Sequence, residues 1–228
     1  MKRDQKLTEH LIQFSYKIGI DIIGFAHPNG YKRFKKENRP ETYLEDVQTV
    51  IVIGIHLYDI ILDAWSQDQT TGKSFHYLDS ILESRAYQIK DFLLQNKYKS
   101  KILPYQPGLF LKDSAVLAGL GPIGKNNLFI SKNFGSQVRL RAIVTEAPLI
   151  TENPVEDNEN CKTCDICITN CPAKALTSEG YNKQACLSYN LANLRMLSKY
   201  TSIWCNECIE TCPYSRKSQK SNLKGYSD

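Results

Sequence analysis

The first 160 residues contain no cysteine, and all eight in the chain fall between positions 161 and 212. The 228 residues therefore divide into a long stretch without thiol chemistry and a short one dense in it. Long apolar runs are missing as well. The longest, Val50 to Ile55, is far short of the roughly 20 residues a membrane-spanning helix requires. Met1-Lys-Arg-Asp-Gln-Lys leads into polar helix without the apolar centre of a secretion signal, so a cytoplasmic protein with no membrane partner is expected. Composition is that of an ordinary folded protein, long enough for two small domains with real cores.

The cysteines are ordered. Cys161-Lys-Thr-Cys164-Asp-Ile-Cys167-Ile-Thr-Asn-Cys171-Pro172 has the C-x2-C-x2-C-x3-C-P spacing with which bacterial ferredoxins hold iron–sulfur cubanes, the fourth cysteine serving the other cluster. Downstream, Cys205-Asn-Glu-Cys208-Ile-Glu-Thr-Cys212-Pro213 is one ligand short, and Cys186 is the thiol left to complete it. The spacing assigns one [4Fe-4S] cluster to Cys161, Cys164, Cys167 and Cys212, and a second to Cys171, Cys186, Cys205 and Cys208. Zinc and disulfides fit the spacing less well. Structural zinc takes C-x2-C pairs a dozen or more residues apart, whereas here a third cysteine follows at once. Disulfides need an oxidising compartment, which nothing in the N-terminal segment suggests.

Net charge says little about partners. The formal +5 counts the cysteines as neutral, and two cubanes on thiolates, at about −2 each, bring the loaded chain near neutrality. Local basic stretches remain at Lys32, Arg33, Lys35 and Lys36 and in the tail at Arg216, Lys217, Lys220 and Lys224, the latter expected to be a solvated end.

Periodicity places the remaining elements. Leu7, Leu11, Phe14 and Ile18 mark an amphipathic helix ending at Gly19, and Asp21 to Ala26 a short strand. Thr49 to Leu57 is a continuous β-branched run, the mark of a strand buried on both faces, so a central sheet covered by helices is expected. Residues 62 to 74 read as loop or frayed helix; Leu78, Leu82, Ala86, Ile89 and Leu93 give the longest helix. Lys101 to Tyr105 is extended, and Gln137 to Thr145 is a strand. Thr151 to Asn160 reads as a linker. Gly119, Gly121 and Gly124 form G-x-G-x-x-G, but with a helix before and a strand after, the reverse of a dinucleotide-binding turn. They are expected to admit something bulky and flat, or to make a tight turn.

The stretch Gly119 to Asn126, Gly135-Ser136, the strand ending at Thr145, the first cysteine run and Cys186-Leu-Ser-Tyr, in this order, resemble the epoxyqueuosine reductase family, whose relatives include the reductive dehalogenases. The resemblance runs from about residue 5 to 215. It implies an α+β protein: an N-terminal α/β domain of the corrin-binding type with a central sheet over residues 1–150, a ferredoxin-like domain with two [4Fe-4S] clusters over 151–215, and a basic tail over 216–228. It also implies base-off cobalamin, with electrons passing from a ferredoxin- or flavodoxin-type donor through both clusters to cobalt, which reduces a small substrate. The positions it assigns to the corrinoid are Gly119, Gly121, Gly124, Lys125, Asn126, Ser131, Gly135, Ser136 and Leu140.

Three departures shape what is carried over. The tryptophan usual after the second glycine is Pro122, the proton-donating aspartate counts onto Tyr105, and the chain stops at Asp228 without the helical-repeat region of members that act on transfer RNA. Transfer RNA is therefore not an expected partner. Tyr105 is the candidate proton donor, as a tyrosine is in the dehalogenases, with Lys112, Lys125, Arg139 and Arg141 as candidate cations beside it. His27, His56 and His76 are read as structural. The alternative function is an electron-transfer protein with no substrate of its own that reduces a partner, for example a corrinoid protein.

Overall fold

The computed structural model describes residues 3–67 and 74–215. The basic tail expected over 216–228 lies outside the described residues, as do positions 68–73 of the expected loop. Chain contacts define two compact units, neither continuous in sequence. One comprises Met1–Ile55, Ile81–Pro122 and Arg139–Glu156, the other His56–Ser80, Ile123–Val138 and Asp157–Asp228. The expected layout ran 1–150, 151–215 and 216–228, each continuous in sequence; chain contacts group two earlier stretches, 56–80 and 123–138, with the cysteine segment.

The first unit is built on a four-stranded sheet in the order β1, β2, β6, β5, where β1 is Ile22–Ala26, β2 Thr49–His56, β5 Ser100–Ile102 and β6 Val138–Thr145. Strands β1 and β2 pair antiparallel with Gly24 opposite Val52, and β5 and β6 pair antiparallel with Ile102 opposite Ile143. Every residue of β2 is buried. Two-sided burial, read from the sequence as typical of parallel sheets, is reached here with antiparallel neighbours because helices cover both faces. Ile51, Ile53 and Ile55 point to one face, into a cluster with Leu7 and Leu11 of helix α1 (Gln5–Lys17) and Leu82, Ala86, Ile89 and Leu93 of helix α2 (Tyr77–Gln95). On β1, Ile23 and Phe25 join that cluster, while Gly24 between them faces the other way, onto the end of helix α3 (Leu111–Leu117). A Cβ on Gly24 would sit 2.7 Å from the Ala118 carbonyl oxygen, so the close approach of α3 to the sheet needs glycine there.

Residues 151–160, expected as a linker, are not free of the first unit. The Glu152 N–H donates to Phe25 O at 3.1 Å and the Val155 N–H to Val116 O at 3.1 Å.

In the second unit, β3 (Trp65–Gln67) and β4 (Ser74–His76) form a sheet with β9 (Arg195–Ser198) and β10 (Thr201–Ile203), in the order β4, β3, β10, β9. At residues 65–67 and 74 this corrects the expectation of loop or frayed helix over 62–74. Three-residue strands carry too few positions to show a period, and β3 exists because β10 offers it a partner, Thr201 opposite Ser66. The cysteine segment itself has little regular structure: helix α4 (Ile166–Thr169), the β7–β8 hairpin (Leu176–Thr177 and Gly180–Tyr181), helix α5 (Lys183–Ala192) and helix α6 (Glu207–Glu210). Among the described residues no helix is long and apolar enough to cross a membrane.

Candidate metal centre

Cys161, Cys164, Cys167 and Cys212 line one hollow, partly open to solvent, together with Asn126, Ile130, Pro213 and Tyr214. Tight turns aim the first three inward: the Cys164 N–H donates to Cys161 O at 3.3 Å, and Cys167 sits in the first turn of α4. Cys212 arrives from the far end of the segment because α6, which it follows, packs against α4. Among the described residues no three His, Cys, Asp or Glu side chains converge closely enough for a single ion. Thiols spread around a hollow suit a larger inorganic core, whose iron atoms each take one sulfur.

Cys171, Cys186, Cys205 and Cys208 are the set expected to hold the second cluster, and Cys167 of the first set shares the buried cluster of Cys171. Cys171 is buried against Ala175 and Leu176, with Cys186 and Cys208 packed on the same cluster. Burial pushes the Cys208 thiol up to about 12, with Cys205, Cys167, Cys186 and Cys171 adding to the effect. Cys167 is raised first by burial and then by Cys161, Cys212 and Cys164. Cys205 is raised chiefly by burial; the backbone hydrogen bond from Glu207 acts against this, and the Glu207 charge, Cys171 and Cys186 add to it. So many thiols at close quarters oppose one another's ionisation, and only a cationic core makes four thiolates stable together. Cys167 thus feels Cys161, Cys164 and Cys212, Cys205 feels Cys171 and Cys186, and Cys208 feels Cys167 as well as Cys171, Cys186 and Cys205. The donor chemistry of both groups fits [4Fe-4S] clusters.

The second half of the glycine-rich stretch supports these cysteines. Lys125 Nζ donates to Asp165 Oδ1 at 2.8 Å and to Lys162 O at 3.2 Å, and its pKa is raised, first by Asp165, with Cys161 and Cys164 contributing. Asn126 Nδ2 donates to Ser136 Oγ at 3.1 Å and to Cys208 O at 3.3 Å. Ser131 and Gly135 exchange backbone hydrogen bonds of 2.8 and 3.0 Å, and the Ser136 N–H donates to Ser215 Oγ at 3.3 Å. A Cβ on Gly124 would meet Ile130 at 2.5 Å. On Gly135, whose φ of +57° already favours glycine, it would lie 2.6 Å from the Ser215 nitrogen.

The other expected site residues lie in the first unit. Gly119 has φ +71°, and a Cβ there would meet Glu152 Cβ at 2.6 Å; Gly121 has φ +149°. Here α3 precedes the glycines and β6 follows, so the turn is not of the dinucleotide-binding kind. The Tyr105 ring, 36% exposed, lies under the guanidinium of Arg141 at 4.7 Å and that of Arg139 at 5.8 Å. Its hydroxyl donates to Leu140 O at 3.4 Å. Arg141 is buried and paired with Glu83 at 3.0 Å. Of the four candidate cations, these two arginines are the ones with a described contact on the ring. Lys125 is engaged with Asp165, and burial lowers the pKa of Lys112 while Asp113 acts against it. In the basic stretch at 32–36, Arg33 is paired with Asp113 at 3.4 Å and Glu156 at 3.5 Å.

No protein-family model matches the sequence. Over 251 residues the chain is 27% identical to an epoxyqueuosine reductase of Listeria monocytogenes, covering 92% of this chain and 65% of that protein. Over 213 residues it is 30% identical to the epoxyqueuosine reductase of Lactococcus garvieae, covering 85% and 58%. The resemblance is to the epoxyqueuosine reductases. The chain thus spans less than two thirds of the length of these relatives. The fold agrees. A crystal structure of epoxyqueuosine reductase with an epoxyqueuosine-modified tRNA stem loop superposes with a TM-score of 0.72 at 21% identity, over 93% of this chain and 66% of that one. A reductive dehalogenase, whose structure suggested a mechanism for B12-dependent dehalogenation, gives 0.68 at 14% identity, over 94% and 33%. Asn190, whose Nδ2 reaches the Cys186 sulfur, and Tyr181, beside the same side chain, were not picked out from the sequence. The signal available was the four-residue step from Cys186 to Asn190, one turn on the same face of α5.

Proposed function

We propose that this chain is an epoxyqueuosine reductase-like oxidoreductase that carries two [4Fe-4S] clusters and takes a base-off cobalamin. The observation that carries the reading is the grouping of the eight cysteines, with Cys161, Cys164, Cys167 and Cys212 around one hollow despite the long stretch of chain before the last of them. The clusters would accept electrons from a ferredoxin- or flavodoxin-type donor, and the corrinoid, when bound, would supply the low-valent metal that reduces a small substrate.

What the chain's own residues contribute is clearest at Tyr105. Its hydroxyl is the proton source in this reading, and Arg139 and Arg141, packed on the ring, stabilise the negative charge left on the phenol oxygen. Lys125 holds the first cysteine run through Asp165 and Lys162, and Asn126 ties the glycine-rich stretch to Cys208.

One observation favours the simpler alternative, an electron carrier that reduces a partner. The space in front of Gly119, Gly124 and Gly135 is taken by the protein's own Glu152, Ile130 and Ser215, so the smallness of these glycines is used internally.

Anaerobic reconstitution with iron, sulfide and cobalamin separates the readings. Roughly eight irons per chain, with the visible spectrum of a bound corrinoid, is the expected result. Two clusters without corrinoid leave the electron carrier; no clusters overturn both. In a corrinoid-loaded protein, Tyr105→Phe should lower substrate turnover by roughly a hundredfold while leaving iron content and the rate of reduction by the donor unchanged. An electron carrier would not notice the substitution.

A further inference from the structure

Asn190 is a buried amide with every bond accounted for. It lies one helical turn after Cys186 on α5 and is 5% exposed. Its Oδ1 accepts from the backbone N–H of Cys205 at 2.6 Å. Its Nδ2 donates to Cys186 O at 2.9 Å and to Cys186 Sγ at 3.5 Å. An N–H can be met only by an acceptor, so the bond from Cys205 fixes which way the amide is turned and forces its NH₂ toward Cys186. The side chain therefore links the two pieces of chain that deliver Cys186 and Cys205, and its donor touches a ligand sulfur. The Tyr181 hydroxyl lies beside the same Cys186 side chain.

We propose that Asn190 is the positioning residue of the second cysteine group: it clamps Cys186 to Cys205 and, with the Tyr181 hydroxyl, sets the reduction potential of the cluster held there. The proposal rests on the two-cluster reading above. Reduction adds an electron that is shared onto the cluster sulfurs, and hydrogen-bond donors aimed at those sulfurs stabilise it, which raises the potential. Around the first group the described polar partners are different. Lys125 acts there as a cation bound to Asp165 and a backbone carbonyl. A change at Asn190 should therefore reach one cluster and spare the other.

The test is a redox titration of the reconstituted full chain, followed by electron spin resonance. The second centre is identified as the one missing from Cys186→Ala. Asn190→Asp keeps an oxygen for the Cys205 N–H but removes the donor to Cys186. At the wild-type midpoint its ratio of reduced to oxidised second cluster should fall at least tenfold, about 59 mV for one electron, with the first cluster unmoved and iron content unchanged. Tyr181→Phe, at a partly exposed position, should move the same centre in the same direction by less. Selective loss of the second cluster from Asn190→Asp, with the first retained, also supports the clamp. If the Asp variant loads neither cluster, Tyr181→Phe decides through its shift. Equal shifts of both centres, or two loaded clusters with unchanged potentials in both variants, overturn the proposal. A wild-type chain that takes up no clusters instead overturns the reading beneath it.

Discussion

The cores of the two units are made of different materials. In the first, Leu82, Ile89 and Leu93 from one helix meet Ile51, Ile53 and Ile55 from the central strand, and the cluster is hydrocarbon throughout. In the second, the buried cluster around the cysteine segment is Cys167, Cys171, Ala175 and Leu176, half of it thiol. Hydrocarbon packing is complete once the chain folds, because each methylene leaves water for a neighbour. A core of grouped thiols is not, since burial and mutual proximity hold Cys167, Cys205 and Cys208 away from the thiolate form. The first unit is therefore expected to be self-sufficient, and the second to draw folding free energy from the clusters proposed for it.

Removing iron should break the comparison open. Treated anaerobically with a chelator and reductant, the reconstituted chain should lose amide protection throughout α4, α5 and α6 while β1, β2 and α2 keep theirs, as read by hydrogen exchange. Protection lost equally in both units would mean that the hydrocarbon core is not independent. Next in size is Cys208→Ala. It should roughly halve the iron content and spare the centre at Cys161, Cys164, Cys167 and Cys212, by iron analysis and spin resonance. An unchanged iron count would show that the grouping of cysteines is wrong.

The same contrast explains what could be read before the fold was known. Helix α2 was legible because Leu82, Ala86, Ile89 and Leu93 repeat at helical spacing over several turns, and β2 because nine consecutive residues from Thr49 to Leu57 leave no polar face. The cysteines were legible as ligand candidates from their spacing, because such short steps constrain the chain locally, and four of them line one hollow. What escaped depends on partners distant in sequence. Strands β3 and β4 are too short to carry a pattern, and Trp65 and Ser66 pair with Ser202 and Thr201 from the other end of the unit. The glycine-rich stretch looked like a cradle for a ligand, since nothing local reveals that Gly119 makes room for Glu152 and Gly135 for Ser215. Asn190 carries no local signal of its partner Cys205, which lies fifteen residues on.

A truncation in the hydrocarbon core sharpens the comparison from the other side. Leu82 is fully buried against the sheet. Leu82→Ala should cost about 2–5 kcal/mol, measured by denaturant unfolding of the first unit, with iron content unchanged. A fall in bound iron without loss of stability would place the dependence of the second unit on the first, and not on its metal.

The smallest effect comes from two glycines of the second unit, each at positive φ but in different surroundings. Gly135 has φ +57°, and an added Cβ would lie 2.6 Å from the backbone nitrogen and 2.8 Å from the Cα of Ser215. Gly180 has φ +143° with nothing within 4 Å of the same position. Alanine at either site pays backbone strain of roughly 1–3 kcal/mol. At Gly135 it must also push back the residue next to Tyr214, and Tyr214 and Pro213 line the hollow that holds Cys212. Backbone cannot swing aside as a side chain can, so the displacement should reach the first cysteine group. Gly135→Ala is therefore expected to slow iron loading of that group and to lower thermal stability more than Gly180→Ala, which should load normally. If the two variants behave alike, strain alone accounts for both, and the close packing of Gly135 on Ser215 has no part in shaping the metal site.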